Sequence, residues 1–290
     1  MLYYLQKIQN DTERTIFMNK TKRILTICAL TSSLLLSSCS GEQKDTAAPA
    51  QTSETAEITT AAATTESVTE PETKFPGKLV DFSAGSSELF ECSNGWTNGN
   101  PFNVTWRKDN VTFENEKMQL IIDNDTLSTD IPYSGGEYRS KEFYGYGRYE
   151  VSMKAIKNDG VVSSYFTYTG PSDDNPWDEI DIEILGKDTT KVQFNYYTNG
   201  KGNHEYMYDL GFDASENFHT YAFEWSEGKI VWYVDGAEAY SADENIPSTP
   251  GKIMANAWCG KGVDSWLKSF EDSGLPLTAE YEWFDFIPEE

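Results

Sequence analysis

Residues 177–186 read WDEIDIEILG, and within them Glu179, Asp181 and Glu183 alternate with Ile180, Ile182 and Ile184. In an extended strand, residues two apart point the same way. The three carboxylates therefore leave one face, and the isoleucines enter a core behind it. Three like charges in file are unfavourable, and an ordinary solvent face mixes signs. A half-buried strand with an incidentally acidic outer face is the plainer alternative. Paired carboxylates are what glycoside hydrolysis requires: one, ionised, attacks the anomeric carbon, and the other, protonated, gives its proton to the departing oxygen. Glu179 and Glu183 lie about 13 Å apart at Cα by strand rise. Two long side chains leaning across Asp181 can still reach the roughly 5–5.5 Å between carboxyl groups that a retaining mechanism needs. Crowding raises the pKa of one member and keeps an acid protonated near neutral pH. Asp181 stands where it can share a proton with Glu179. Which glutamate attacks is left open by these residues alone.

Sugar rings present apolar C–H faces, so a glycan site needs aromatic platforms with amides and an arginine for the hydroxyls. Trp177 immediately precedes the trio. In KVQFNYYT (191–198), Gln193, Asn195 and Tyr197 share one face of a strand, and Asn256 and Trp258 share a face of another, with Cys259 opposite. Taken singly, each Trp or Tyr reads first as core packing. Their occurrence with amides on the same strand faces reads as a sugar-lining surface.

The same period of two runs through the rest of the domain. In YEVSMKAI (149–156), Tyr149, Val151, Met153 and Ala155 oppose Glu150, Ser152 and Lys154. FHTYAFEW (218–225) and KIVWYVDG (229–236) flank Ser-Glu-Gly and predict a hairpin. Further strands are expected at 118–123, 161–169 and 252–258, and no segment forms a long amphipathic helix. Many short strands between Gly, Asn, Asp and Pro imply an all-β antiparallel sandwich or jelly roll.

The ends read differently. Met18 opens a short basic segment, followed by an apolar run from Ile24 to Leu36 and then Ser37, Ser38 and Cys39. That order predicts a secretory signal over 18–38, too short for a comfortable membrane span, with residues 1–17 an upstream extension. The run resembles a bacterial lipobox, which makes Cys39 the expected lipidation site and a lipid anchor there the only membrane attachment. Residues 39–75, rich in Thr, Ala and Glu, predict a disordered linker. All eight Trp lie between Trp96 and Trp283, so 76–290 is expected to form one domain, exported and monomeric. The net charge of -24 argues against nucleic acid and anionic membrane surfaces as partners. Two histidines, His204 and His219, and no CxxC pair speak against a zinc site. Export would permit a Cys92–Cys259 disulfide without requiring it.

WDEIDIEILGKDTTKVQFNYYTNGKGNHE (177–205) resembles the bacterial lichenases, the β-1,3-1,4-glucanases of glycoside hydrolase family 16. So do EYRS (137–140), YGYGRYEVSMK (144–154), VVSSYFTYTGPSDDNPW (161–177), LGFDASENFHTYAFEW (210–225) and IPSTPGKIMANAWCGKGVD (246–264). The resemblance covers nearly all of 76–290. It implies a concanavalin A-like jelly roll with a concave cleft, a retaining mechanism and β-glucan as the polysaccharide partner. By motif position, Glu179 would be the nucleophile, Glu183 the general acid/base and Asp181 the assisting carboxylate. Trp177, Gln193, Asn195, Tyr197, Asn256 and Trp258 match cleft positions, as do Glu137 and Arg139 in EYRS, Asn98 in GWTNG, and Trp96.

The regular E-I-D-I-E spacing lacks the extra residue common in laminarinases. It favours mixed-linkage β-glucan, although xyloglucan transglycosylases also lack that residue. Laminarin hydrolysis, transglycosylation and non-catalytic glycan binding are the competing expectations. The disulfide of many lichenases is expected to be absent, because its positions hold Val104 and Gly136. No cofactor is expected for the reaction. The resemblance allows a structural calcium ion, although Glu282 stands where an aspartate is common.

Overall fold

A computed structural model describes residues 79–128 and 130–290. The upstream extension, the signal segment, Cys39, the whole of the linker and residues 76–78 lie outside the described residues. Sixteen strands occur among them: β1 (Val80–Asp81), β2 (Phe90–Cys92), β3 (Val104–Trp106), β4 (Val111–Glu114), β5 (Lys117–Asn124), β6 (Tyr133–Ser140), β7 (Gly147–Lys154) and β8 (Val161–Thr169). Then follow β9 (Asp178–Leu185), β10 (Lys191–Tyr197), β11 (Tyr206–Asp209), β12 (His219–Ser226), β13 (Lys229–Val234), β14 (Ala237–Ala242), β15 (Lys252–Cys259) and β16 (Leu277–Pro288). The one α-helix among these residues is the single turn α1 (Asp264–Leu267).

The strands form two layers joined at a corner. One layer runs β11-β10-β9-β8-β15-β6, and the other runs β5-β16-β7-β12-β13-β14. The join is β6, whose first residues pair with β5 while its later ones pair with β15. Gly135 and Gly136 lie at that corner because backbone passes too close for a side chain. A Cβ on Gly136 would lie 2.4 Å from the Asn110 carbonyl oxygen, and one on Gly135 2.7 Å from that of Ala257. The position that carries a disulfide cysteine in many lichenases therefore has no room for one here.

Between the layers lies the core. Ile180, Ile182 and Ile184 are at most 1% exposed and face it, each burial stabilising the fold by about 1.5–3 kcal/mol. From the second layer, Trp232 stacks on Phe194 with ring centroids 5.6 Å apart, and its Nε1 donates to the Asp181 carbonyl oxygen at 3.2 Å. The strand carrying the carboxylates is thus fastened from behind by packing and by a buried hydrogen bond.

The jelly-roll sandwich and the expected strands stand, including the 219–234 hairpin, in which Ser226 pairs with Lys229. Cys92 and Cys259 are both free thiols, so the disulfide that export would permit is not formed. Cys259 is buried, its Sγ pointing to the Asn103 carbonyl oxygen at 3.7 Å. Glu282 sits at a register shift of β16 against β7 and accepts from Ser152 Oγ at 2.6 Å. That hydroxyl occupies one oxygen of the carboxylate the resemblance would offer to calcium.

Candidate active site

Pairing lays the candidate residues out as rows running across the strands of the first layer. Directly opposite residues share a face. One row is Met207, Gln193, Glu183, Ser164, Asn256 and Glu137, on β11, β10, β9, β8, β15 and β6. The next is Asn195, Asp181, Phe166, Met254, Arg139 and Glu91. A third is Tyr197, Glu179, Tyr168 and Lys252. Pairing along β9 runs without a register shift on either side, so the three carboxylates stand in one file.

Each outer carboxylate has its own donor. Trp177 Nε1 donates to Glu179 Oε2 at 2.5 Å, and Gln193 Nε2 donates to Glu183 Oε2 at 2.6 Å. Trp177 also stacks on Tyr197, with centroids 4.6 Å apart and planes 14° apart. Behind the strand, Asp178 accepts from the backbone N–H groups of Asn199, Ser248 and Thr249 at 2.8–3.0 Å. It ties two loops to the start of β9.

The electrostatics separates the trio's members. Burial pushes Glu179 up to about 8; the nearby Glu183 charge adds to this, while bonds from Trp177 and Asp181 oppose it. Asp181 is raised well above the usual carboxylate range, first by burial and then by the charges of Glu179 and Glu183. The hydrogen bond between them lowers Glu179 and raises Asp181. Asp181 is therefore the member that holds its proton more tightly, and Glu179 is the first of the two to ionise.

The other expected residues differ in what they meet. Glu137 is buried and accepts from Ser93 Oγ at 2.6 Å and Asn256 Nδ2 at 3.3 Å; burial nonetheless raises its carboxyl. Asn256 Oδ1 in turn accepts from Ser164 Oγ at 2.6 Å. Arg139 pairs with Glu91 at 2.8 Å and lies over the Trp96 ring at 5.6 Å, and Trp96 is 38% exposed. Asn98 accepts from Trp106 Nε1 at 3.0 Å, so its carbonyl oxygen is already engaged. Asn195 is buried, and its Oδ1 has no partner among the described residues. Trp258 faces the site side but is only 4% exposed, covered by Phe102 at 4.2 Å and flanked by Trp266 at 6.0 Å. It supports the floor and is not an open platform.

Four residues were not anticipated. Ser164, Phe166 and Tyr168 line the middle of the rows from β8. That strand is buried on both faces, so its sequence shows no alternation from which to read the site side. Trp266 enters from α1 through a bond to Gln193, and no periodicity could signal it.

An antiparallel jelly roll with a file of carboxylates on its outer face, among amides and aromatics, has the layout of the polysaccharide-active sandwiches. The chain belongs to the Glycosyl hydrolases family 16, whose model matches residues 98–284. A "Xylanase/beta-glucanase" of Ruminococcus flavefaciens is 59% identical over 213 residues, covering 72% of this chain but 26% of that protein. A "Beta-glucanase" of Acetivibrio thermocellus is 58% identical over 207 residues, covering 71% of this chain and 61% of its own. The chain thus spans a quarter to three-fifths of the length of these relatives. A crystal structure of a prokaryotic β-1,3-1,4-glucanase (lichenase) from a mouse hindgut metagenome is 54% identical, with a TM-score of 0.70, covering 72% of this chain and 98% of that one.

Proposed function

We propose that the protein is a retaining endo-β-glucanase that cleaves β-1,4 bonds next to β-1,3 bonds in mixed-linkage β-glucan. The observation that carries the reading is the unequal setting of three carboxylates in one file. Glu179 gives up its proton more readily than its hydrogen-bonded neighbour Asp181, and Glu183 is held separately by Gln193. In the first step a Glu179 oxygen bonds to the anomeric carbon. The glycosidic C–O bond breaks, and its electron pair takes a proton from Glu183. Water then attacks the glycosyl ester, gives a proton to Glu183, and Glu179 leaves as carboxylate. This sequence uses side chains and water and calls on no cofactor.

One feature supports the finer substrate assignment: β9 pairs on both sides without the bulge that an extra residue would create, as in laminarinase-like relatives. Reducing-sugar release from lichenan, laminarin and xyloglucan, measured in parallel, tests the assignment, and faster release from laminarin than from lichenan refutes it. Azide added to a Glu179→Ala variant should yield an inverted glycosyl azide, which marks the nucleophile. An unchanged rate in Glu179→Gln and Glu183→Gln would refute the assignment of these carboxylates, whereas a wild-type chain that binds β-glucan without cleaving it would be a glycan-binding module. We further propose export with a lipid on Cys39, so that Cys39→Ser releases the protein from the membrane fraction.

A further inference from the structure

We propose that Trp266 is a positioning residue for the acid/base carboxyl, acting through Gln193. The inference rests on the catalytic reading above, in which Glu183 carries the proton. Trp266 Nε1 donates to Gln193 Oε1 at 3.0 Å, and Gln193 Nε2 donates to Glu183 Oε2 at 2.6 Å. An indole N–H is a donor only. It therefore selects the oxygen of the amide and leaves the NH₂ end for Glu183. Without it, the amide can turn and present an oxygen to an ionised carboxylate, a repulsive contact.

The indole is itself held in place. The Trp266 carbonyl oxygen accepts from Lys187 Nζ, on the turn that follows β9. Trp266 N donates to the Val263 carbonyl oxygen and Gly160 N to that of Leu267, both at 2.8 Å, while Leu267 is fully buried. The turn after the carboxylate strand thus grips the residue that orients the amide facing Glu183. A pre-set N–H favours the ionised form of Glu183, the form produced as the proton passes to the leaving oxygen. Its value is greatest where the departing group needs that proton.

The test compares kcat/KM, which reports the first bond cleavage, on barley β-glucan and on a 2,4-dinitrophenyl β-glucan oligosaccharide, whose phenolate departs without a proton. Trp266→Phe should lose about tenfold on the glucan and stay within about twofold on the aryl substrate. Its alkaline limb on the glucan should move to higher pH. Gln193→Leu should lose at least as much on the glucan as Trp266→Phe, and the double variant should lose no more there than Gln193→Leu alone. Equal losses on both substrates, losses that add in the double variant, or no loss on the glucan would each overturn the relay. Trp266→Met, which fills space without a donor, replaces the Phe variant if that one does not fold. A wild-type protein inactive on barley β-glucan would instead refute the catalytic reading, and the relay with it.

Discussion

Replacing Glu179 by Gln should abolish turnover and at the same time stabilise the fold, by an amount that grows with pH. In the unfolded chain a glutamate loses its proton near pH 4. In the fold, burial and the neighbouring carboxylates raise Glu179 to about 8 and hold Asp181 well above its ordinary value. Between those limits the folded state binds more protons than the unfolded one, so the wild type loses stability as pH rises. The rise of Glu179 from 4.5 to about 8, at about 1.4 kcal/mol per unit, sets a ceiling of about 5 kcal/mol. Glu179 is only half-buried, so solvent relieves much of that. We expect about 1–2 kcal/mol near pH 8, which in a domain of this size is a Tm gain of about 3–6 °C. The amide oxygen of glutamine can still accept from Trp177, so no donor is stranded. Thermal denaturation of both proteins at about pH 4, 6 and 8 should show a gap that is small at the acid end and widens upward. A variant less stable than wild type at the alkaline end, or a gap independent of pH, would refute the proton-sharing account.

The remaining expectations concern the supports of the site. A Cβ at Gly202 would lie 2.4 Å from Tyr197 Cε1. Gly202→Ala should therefore push that ring off Trp177 and raise KM about three- to tenfold with kcat largely kept; steady-state kinetics on lichenan showing the opposite split contradicts this. Asp178→Ala strands three backbone N–H groups and should cost about 2–4 kcal/mol in urea denaturation; a loss below about 0.5 kcal/mol would mean that water replaces the carboxylate. Chelation with EDTA should leave kcat on lichenan unchanged, since both proton transfer and bond formation use carboxylates; lost turnover, restored by added calcium, would contradict that mechanism.

The architecture was legible wherever polar and apolar side chains alternate along a strand. β7, β10 and the β12–β13 hairpin show clean alternation, and the structure places them within a residue or two of the expected spans. β16 escaped because its alternation breaks. Ala279 and Tyr281 are buried, then Phe284, with the phase slipping by one at the Glu282 register shift. A bulge adds a residue and turns the following side chains over, so a period-two reading sees two unconvincing fragments in place of one twelve-residue strand. Gly135 and Gly136 were legible only as glycines; their use at the corner depends on backbone brought from Asn110 and Ala257.

For the site, the file of carboxylates followed from spacing alone, because three residues two apart on one strand must share a face. Their unequal chemistry did not, because it depends on what each meets across strands. Glu179 and Glu183 are the same residue type, two positions either side of Asp181, and nothing local distinguishes them. Trp177 separates them from one end and Gln193 from the other, and Gln193 can do so only in the orientation that Trp266 imposes. Trp258 shows the converse. Its face was correctly read, yet Phe102, remote in sequence, covers it. Pattern identifies which side chains reach a surface, while the chemistry at that surface is set by donors arriving from other segments. That is why two identical residues on β9 meet unequal surroundings, set by two tryptophans and an amide outside it.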